Sequence, residues 1–277
     1  MVAALMQLRP APLTLGLTLL LLAGCSSAGS QSASDAAETG AASSSGAAAG
    51  SSDETAEPTG GASIVVSGDA FAFTLPGTPY GRIVEGTVRV LESPGVTVVT
   101  DEAGHFELPP LAAGGTATFV IEHPDFPPTR TRTFVLPDAG ELARVTFQVP
   151  DNALFAAIAG IVEVELEPGA CQIVSTVTRV GKSIYDAGAH GEAGATVTIS
   201  PAPPSGEGPI YFNDSVIPDR TFTATSTDGG VLFVNVPPGT YELQAHKEGV
   251  VFEAVTMQCE AGVLVNASPP YGLQALP

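Results

Sequence analysis

An all-β fold is predicted, two β-sandwiches in tandem, and three observations predict it. Apolar and polar residues alternate with period two in Thr87-Val88-Arg89-Val90, Thr196-Val197-Thr198-Ile199 and Tyr241-Glu242-Leu243-Gln244-Ala245-His246, which is the pattern of a strand with one face buried. Gly and Pro, 31 and 24 of the 277 residues, punctuate the chain at short intervals, so most segments between them are too short for helices. One strand–turn–aromatic pattern also occurs twice in the same order, the mark of a repeated structural unit.

Residues 1–24 precede the fold. Arg9 supplies a basic start, Leu13 to Leu22 is an apolar run, and Ala23-Gly24 are small. That order is a secretory signal, and its apolar run is shorter than the roughly 20 residues of a membrane span. The tetrapeptide Leu22-Ala23-Gly24-Cys25 resembles the lipobox of bacterial lipoproteins. The resemblance implies cleavage before Cys25, a diacylglycerol on the Cys25 sulfur and an acylated, palmitate-bearing amino terminus. A plain signal peptide, with Cys25 an ordinary residue, is the other reading. Ser26 in place of Asp implies, by the same resemblance, sorting to the outer membrane in a Gram-negative cell. The expected partner of Cys25 is therefore the membrane, and the expected location is the cell envelope.

Residues 25–62 hold the expected lipidated cysteine and a segment almost entirely of Ala, Ser, Gly, Thr, Asp and Glu, without aromatic, Leu, Ile, Val or basic residues. So little apolar surface does not offset the entropy of ordering, and a disordered linker is expected. As a Gly/Ser-type coil it spans roughly 35 Å, enough to hold a folded part clear of lipid headgroups.

From Ser63 onward there are 24 acidic and 9 basic side chains, a net charge of −15. This excludes nucleic acid as an expected partner, since such affinity rests on Lys and Arg neutralising phosphates. It also disfavours close contact with anionic lipid.

The repeat organises this part. Copy one reads Glu85-Gly86-Thr87-Val88-Arg89-Val90, then Thr100-Asp101-Glu102-Ala103-Gly104-His105-Phe106, Pro109-Pro110, Phe119 and His123. Copy two reads Gly194-Ala195-Thr196-Val197-Thr198-Ile199, then Thr227-Asp228-Gly229-Gly230-Val231-Leu232-Phe233, Pro237-Pro238-Gly239-Thr240-Tyr241 and His246. Thr-Asp-x-x-Gly is read as a hairpin turn in which Asp accepts from nearby amides and Gly takes a positive φ. Phe106, Phe233, Phe119 and Tyr241 are the expected core aromatics. These motifs resemble the carboxypeptidase regulatory-like family, and the resemblance implies Ig-type, prealbumin-like sandwiches over 63–150 and 171–277. In the segment between, 151–170, Asp151 is placed to cap a helix whose apolar residues Leu154, Phe155, Ile158 and Ile161 recur at three- and four-residue steps. A short helix is predicted there, a buried strand being the alternative.

With Cys25 assigned to lipid, Cys171 and Cys259 remain. Outside the cytoplasm such a pair oxidises readily, and a disulfide is expected, two buried free thiols being the other reading. Neither cysteine has a Cys or His at ligand spacing, so no metal site is expected on them. Gly-x-Ser-x-Gly, His-Glu-x-x-His, Walker and dinucleotide motifs are absent, and the Tyr and His residues do not form the iron-binding set of intradiol dioxygenases. No catalytic residue, cofactor or enzymatic activity is therefore expected. His123 and His246, at equivalent places in the copies, are read as structural. Asp101-Glu102, Asp125, Asp138, Asp214, Asp219 and Asp228 fall in expected loops and are the only calcium candidates, more simply read as solvated turn residues. The expectation is a lipid-anchored, non-catalytic binding or structural protein whose partner is another envelope protein or a glycan. An accessory subunit of a surface hydrolase or of a transport or secretion machine is the alternative.

Overall fold

Strands form where β-branched residues alternate with polar ones. The computed structural model describes residues 62–75, 77–186, 188–268 and 270–277. The expected signal, Cys25 and the linker lie outside the described residues. The first half contains β1 (Ser63–Phe73), β2 (Gly81–Arg82), β3 (Thr87–Val90), β4 (Ser93–Val99), β5 (His105–Ala112), β6 (Thr116–His123), β7 (Phe126–Val135) and β8 (Gly140–Pro150). Helix α1 (Asn152–Ile161) follows. The second half contains β9 (Cys171–Thr178), β10 (Thr196–Ser200), β11 (Glu207–Phe212), β12 (Pro218–Asp219), β13 (Gly230–Val236), β14 (Gly239–His246), β15 (Val255–Cys259), β16 (Leu264–Asn266) and β17 (Leu273–Gln274).

The chain is all-β, with two tandem Ig-like sandwiches of the same wiring and a short helix between them. In the first, β1 pairs antiparallel with β5 and parallel with β8, and this sheet packs on β4-β3-β6-β7. In the second, β9 pairs antiparallel with β13 and parallel with β16, and the facing sheet is β10-β14-β15. The copies differ at their edges. β4 stays on β3, whereas β11 crosses to pair with β13, and the second copy adds β12 on β11 and β17 on β9.

The strand pairing corrects the register read between the copies. Thr100 Oγ1 donates to Ile83 O (2.7 Å) and accepts from Gly86 N (2.8 Å). In copy two these two roles belong to Thr225, which donates to Glu192 O (2.6 Å) and accepts from Ala195 N (2.9 Å). The second turn is therefore Thr225-Ser226-Thr227-Asp228-Gly229, two residues earlier than expected. Ser226 Oγ accepts from Asp228 N (3.1 Å) as Asp101 Oδ1 accepts from Ala103 N (2.8 Å). Gly104 and Gly229 take the left-handed conformation at φ +72° and +82°, which Gly alone adopts without strain. The aromatic and histidine equivalences shift as well. Val90 opposes Phe119 where Ile199 opposes Leu243, so Phe119 matches Leu243, not Tyr241. Thr87 opposes Glu122 where Thr196 opposes His246, so His123 and His246 are not equivalent. All four predicted core aromatics are nonetheless buried.

Between the sandwiches, Asp151 Oδ1 accepts from Leu154 N (2.7 Å) and caps α1. The helix covers a need written in β13: Val231-Leu232-Phe233-Val234 is buried throughout. Val231 and Phe233 face the second core, while Leu232 and Val234 join Val162, Ile210 and Phe212 in a smaller cluster against Ile158 of α1. A continuous apolar run marks a strand buried on both faces.

The two sandwiches share a sheet. β16 pairs parallel with β7, Leu264 opposite Thr129 and Val265 opposite Arg130. This joins β4-β3-β6-β7 and β16-β9-β13-β11-β12 into one hydrogen-bonded surface. Side chains reinforce the seam. Arg130 of β7 pairs with Glu260, and Arg132 with Glu253 at 2.8 Å. Asn266 Nδ2 donates to Gln148 O (2.7 Å), and Tyr185 Oη donates to Asp69 Oδ2 (2.9 Å). Cys171 and Cys259 form a disulfide across the second sandwich, with Cα atoms 5.8 Å apart and a sequence separation of 88.

Candidate functional site

Cover on the outer face of β9, β11 and β13 is incomplete, and a cavity of about 590 Å³ opens there. Its size lies within the range of small-molecule sites. The second sandwich supplies its floor, Val174, Phe212 and Leu232. Helix α1 supplies Phe155 and Ile158, and the first sandwich supplies Phe73, Tyr80 and Pro150. The cavity therefore exists only because the halves are fused.

Its polar groups come from the second copy's turns and the seam. Asp228 and Asp214 line it, with His190, Asn266 and Ser268. Two backbone features place Asp228. Gly230 N donates to its Oδ2 (3.0 Å). Gly191 also lies so close that a Cβ there would meet the Asp228 carbonyl carbon at 2.3 Å, so only Gly lets the His190 loop pack on this turn. Burial pushes the Asp228 carboxyl up to about 6, and the neighbouring Asp214 adds to the rise. Burial also lowers His190, favouring neutral imidazole. Tyr80 is raised by burial and by the Asp228 charge. Asp214 is held below the usual carboxylate range by Thr227, whose hydroxyl and amide donate at 2.6 and 3.0 Å. No Lys or Arg lines the cavity among the described residues.

Two of its lining aromatics, Phe73 and Tyr80, belong to a larger aromatic cluster beside it. Tyr80 lies 6.2 Å from Phe71 and 6.1 Å from Phe73, and Phe71 lies 5.9 Å from Tyr185. Arg82 stacks over Phe71 at 4.2 Å. Tyr80 and Tyr185 are exposed.

The other acidic residues singled out in the sequence are scattered. Asp101 caps its own turn, Asp219 accepts from Thr221 (2.7 Å), and Asp125 lies beside His123. Among the described residues no three His, Cys, Asp or Glu side chains converge as metal ligands. His105 lies 3.3 Å from Asp69, and His246 2.9 Å from Thr198. Asp228 was legible as a turn residue and not as a cavity residue. The Thr225-Ser226-x-x-Gly229 spacing was the signal that would have freed it. Ser268 and Asn266 carried no motif, because strand β16 reaches the cavity only through pairing with β7 and β9. No helix among the described residues is long and apolar enough to cross a membrane.

No family model matches the chain, and no curated protein does. Among solved structures, the Bacillus anthracis TIE protein is 16% identical over 74% of this chain and 33% of its own, with a TM-score of 0.23. This chain thus spans about a third of that protein. GBS52, the minor pilin of Streptococcus agalactiae, is 9% identical over 77% of this chain and 97% of its own, with a TM-score of 0.23. The shaft pilin SpaA of Lactobacillus rhamnosus GG is 12% identical over 78% of this chain and 100% of its own, with a TM-score of 0.20. Values this low transfer nothing about activity to this chain.

Proposed function

We propose that this chain is a lipid-anchored cell-envelope protein that binds a small ligand, without catalysis, in the cavity between two fused sandwiches of carboxypeptidase regulatory-like type. The observation that carries the binding role is the cavity itself, walled by apolar residues from both sandwiches and α1 with a few polar groups at one side. Such a composition is that of a binding site. His190, Asp214, Asp228 and Ser268 share no hydrogen bond with one another, and a nucleophile needs a base within reach. The anchor rests on Leu22-Ala23-Gly24-Cys25, with the Ala/Ser/Gly segment as its tether. The exposed rings of Tyr80 and Tyr185, which pack on Phe71 beside the cavity, favour a second, larger contact with a glycan or another envelope protein, because exposed aromatics mark interaction surfaces.

Two experiments test the two halves of this reading. Cys25→Ser should lose incorporation of an alkyne-tagged palmitate and leave the washed membrane fraction or stay as precursor. A processed, membrane-bound Cys25→Ser chain would overturn the anchor. For the cavity, the neutral dye N-phenyl-1-naphthylamine should bind the full chain saturably at one site, and Leu232→Trp should abolish that signal while leaving the β circular-dichroism spectrum intact. Equal dye binding by Leu232→Trp would overturn the cavity as the binding site.

A further inference from the structure

Resting on the cavity reading, we propose that the ligand is a small amphiphilic amine, its apolar body against Phe155, Ile158, Phe212 and Leu232 and its ammonium group facing Asp228. Three observations carry the class. First, Asp228 has no cationic partner among the described residues: its Oδ2 accepts one backbone amide, and its Oδ1 accepts nothing. A half-buried carboxylate without a counter-charge carries a desolvation cost that a cation offsets. Second, Asp214 lines the same cavity, so two like charges share it, and a cation between them relieves their repulsion. Third, Phe73, Tyr80, Phe155 and Phe212 line the walls, and aromatic faces attract cations. The same arrangement selects against acids. Among the described residues no Lys or Arg lines the cavity, and the folded part carries a net charge of −15, so a fatty acid or phosphate is disfavoured there. The volume of about 590 Å³ suits a small amine and not a two-chain lipid.

The test is calorimetric titration of the chain from residue 25 onward, carrying Cys25→Ser so that neither lipid nor signal segment is attached, with three probes of one length: hexylammonium, 1-hexanol and hexanoate. Hexylammonium should bind at least tenfold tighter than hexanol, and hexanoate should not bind saturably. Asp228→Asn keeps an oxygen for Gly230 N and removes the charge; it should bring hexylammonium within about twofold of the alcohol. Leu232→Trp should abolish binding of both, which separates the cavity from pairing at the acidic surface. Hexanol binding as tightly as hexylammonium would overturn the amine and leave the cavity reading standing. Hexylammonium binding that survives Leu232→Trp would overturn the amine site. Failure of all three probes together with the naphthylamine dye would overturn both.

Discussion

The two sandwiches share their wiring and differ in what closes their cores. The first is closed by phenyl rings: Phe106 packs on Phe147 at 5.8 Å and Phe119 on Phe134 at 5.7 Å between centroids. The second is closed by tethers. Val197 N donates to Tyr211 Oη (3.0 Å), Tyr241 Oη donates to Pro237 O (3.0 Å), and the disulfide joins β9 to β15. What the copies keep is smaller than either core: one threonine that links two backbone segments, Thr100 and Thr225, and one left-handed glycine after it. The comparison teaches that the backbone hydrogen-bonding requirement at the turn is the invariant, while the core is free to be filled by different chemistry. Buried amides and carbonyls must be paired, whereas apolar volume is met by many combinations of side chains.

The comparison breaks most visibly at the disulfide. Replacing both Cys171 and Cys259 with Ala should cost about 4–5 kcal/mol, the chain-entropy value for so long a loop. Differential scanning calorimetry should show one transition moved to lower temperature, because the seam makes the halves one hydrogen-bonded sheet. Two separate transitions, with the first sandwich unmoved, would mean that the seam does not couple them.

The seam itself gives the next largest effect. The Arg130 side chain is 5% exposed and that of its partner Glu260 is 61% exposed. Glu260→Ala strands a buried cation and should cost about 2–3 kcal/mol, the usual penalty reduced for the exposed partner. Arg130→Met leaves Glu260 in water and should cost less than about 1 kcal/mol. Urea unfolding of both variants checks the asymmetry, and equal losses would contradict it.

Asp228 has no counterpart in the first sandwich, where Ala103 occupies the matching turn position. Its carboxyl is raised from 3.8 to about 6 in the fold, so the folded state binds the proton more tightly than the unfolded chain. Its effect on stability is neutral below about pH 4, grows more destabilising between about pH 4 and 6, and is constant above that. Asp228→Asn should therefore stabilise the protein by roughly 2 kcal/mol at pH 7, and by little at pH 4. Melting curves at the two pH values report this, and a gain larger at pH 4 would reverse the assignment.

The smallest effect separates tethered from untethered aromatics. Tyr241→Phe removes the bond to Pro237 O and should cost about 1 kcal/mol, readable as a small fall in the urea midpoint.

Much of this was legible before the structure. Strand alternation, the Asp151 cap, the turn at Thr100 to Gly104 and the pairing of Cys171 with Cys259 each depend on short patterns or on chemistry confined to one residue type. The register between copies was not legible, because Thr227-Asp228 imitates the motif two residues after the turn that Thr225 makes. Period-two alternation survives a two-residue slip, so Val231 and Phe233 look alike from the sequence.

The sequence by itself determined the class of fold, its repetition and the chemistry available to it, since these follow from periodicity, turn residues and side-chain identity. Only the tertiary structure decided that β16 would pair with β7, that two sandwiches would become one sheet, and that Asp228, Ser268, Phe155 and Tyr80 would share a cavity. Those residues lie far apart along the chain. No local pattern encodes such a meeting; it follows from which edge strand is left unpaired once each sandwich has closed.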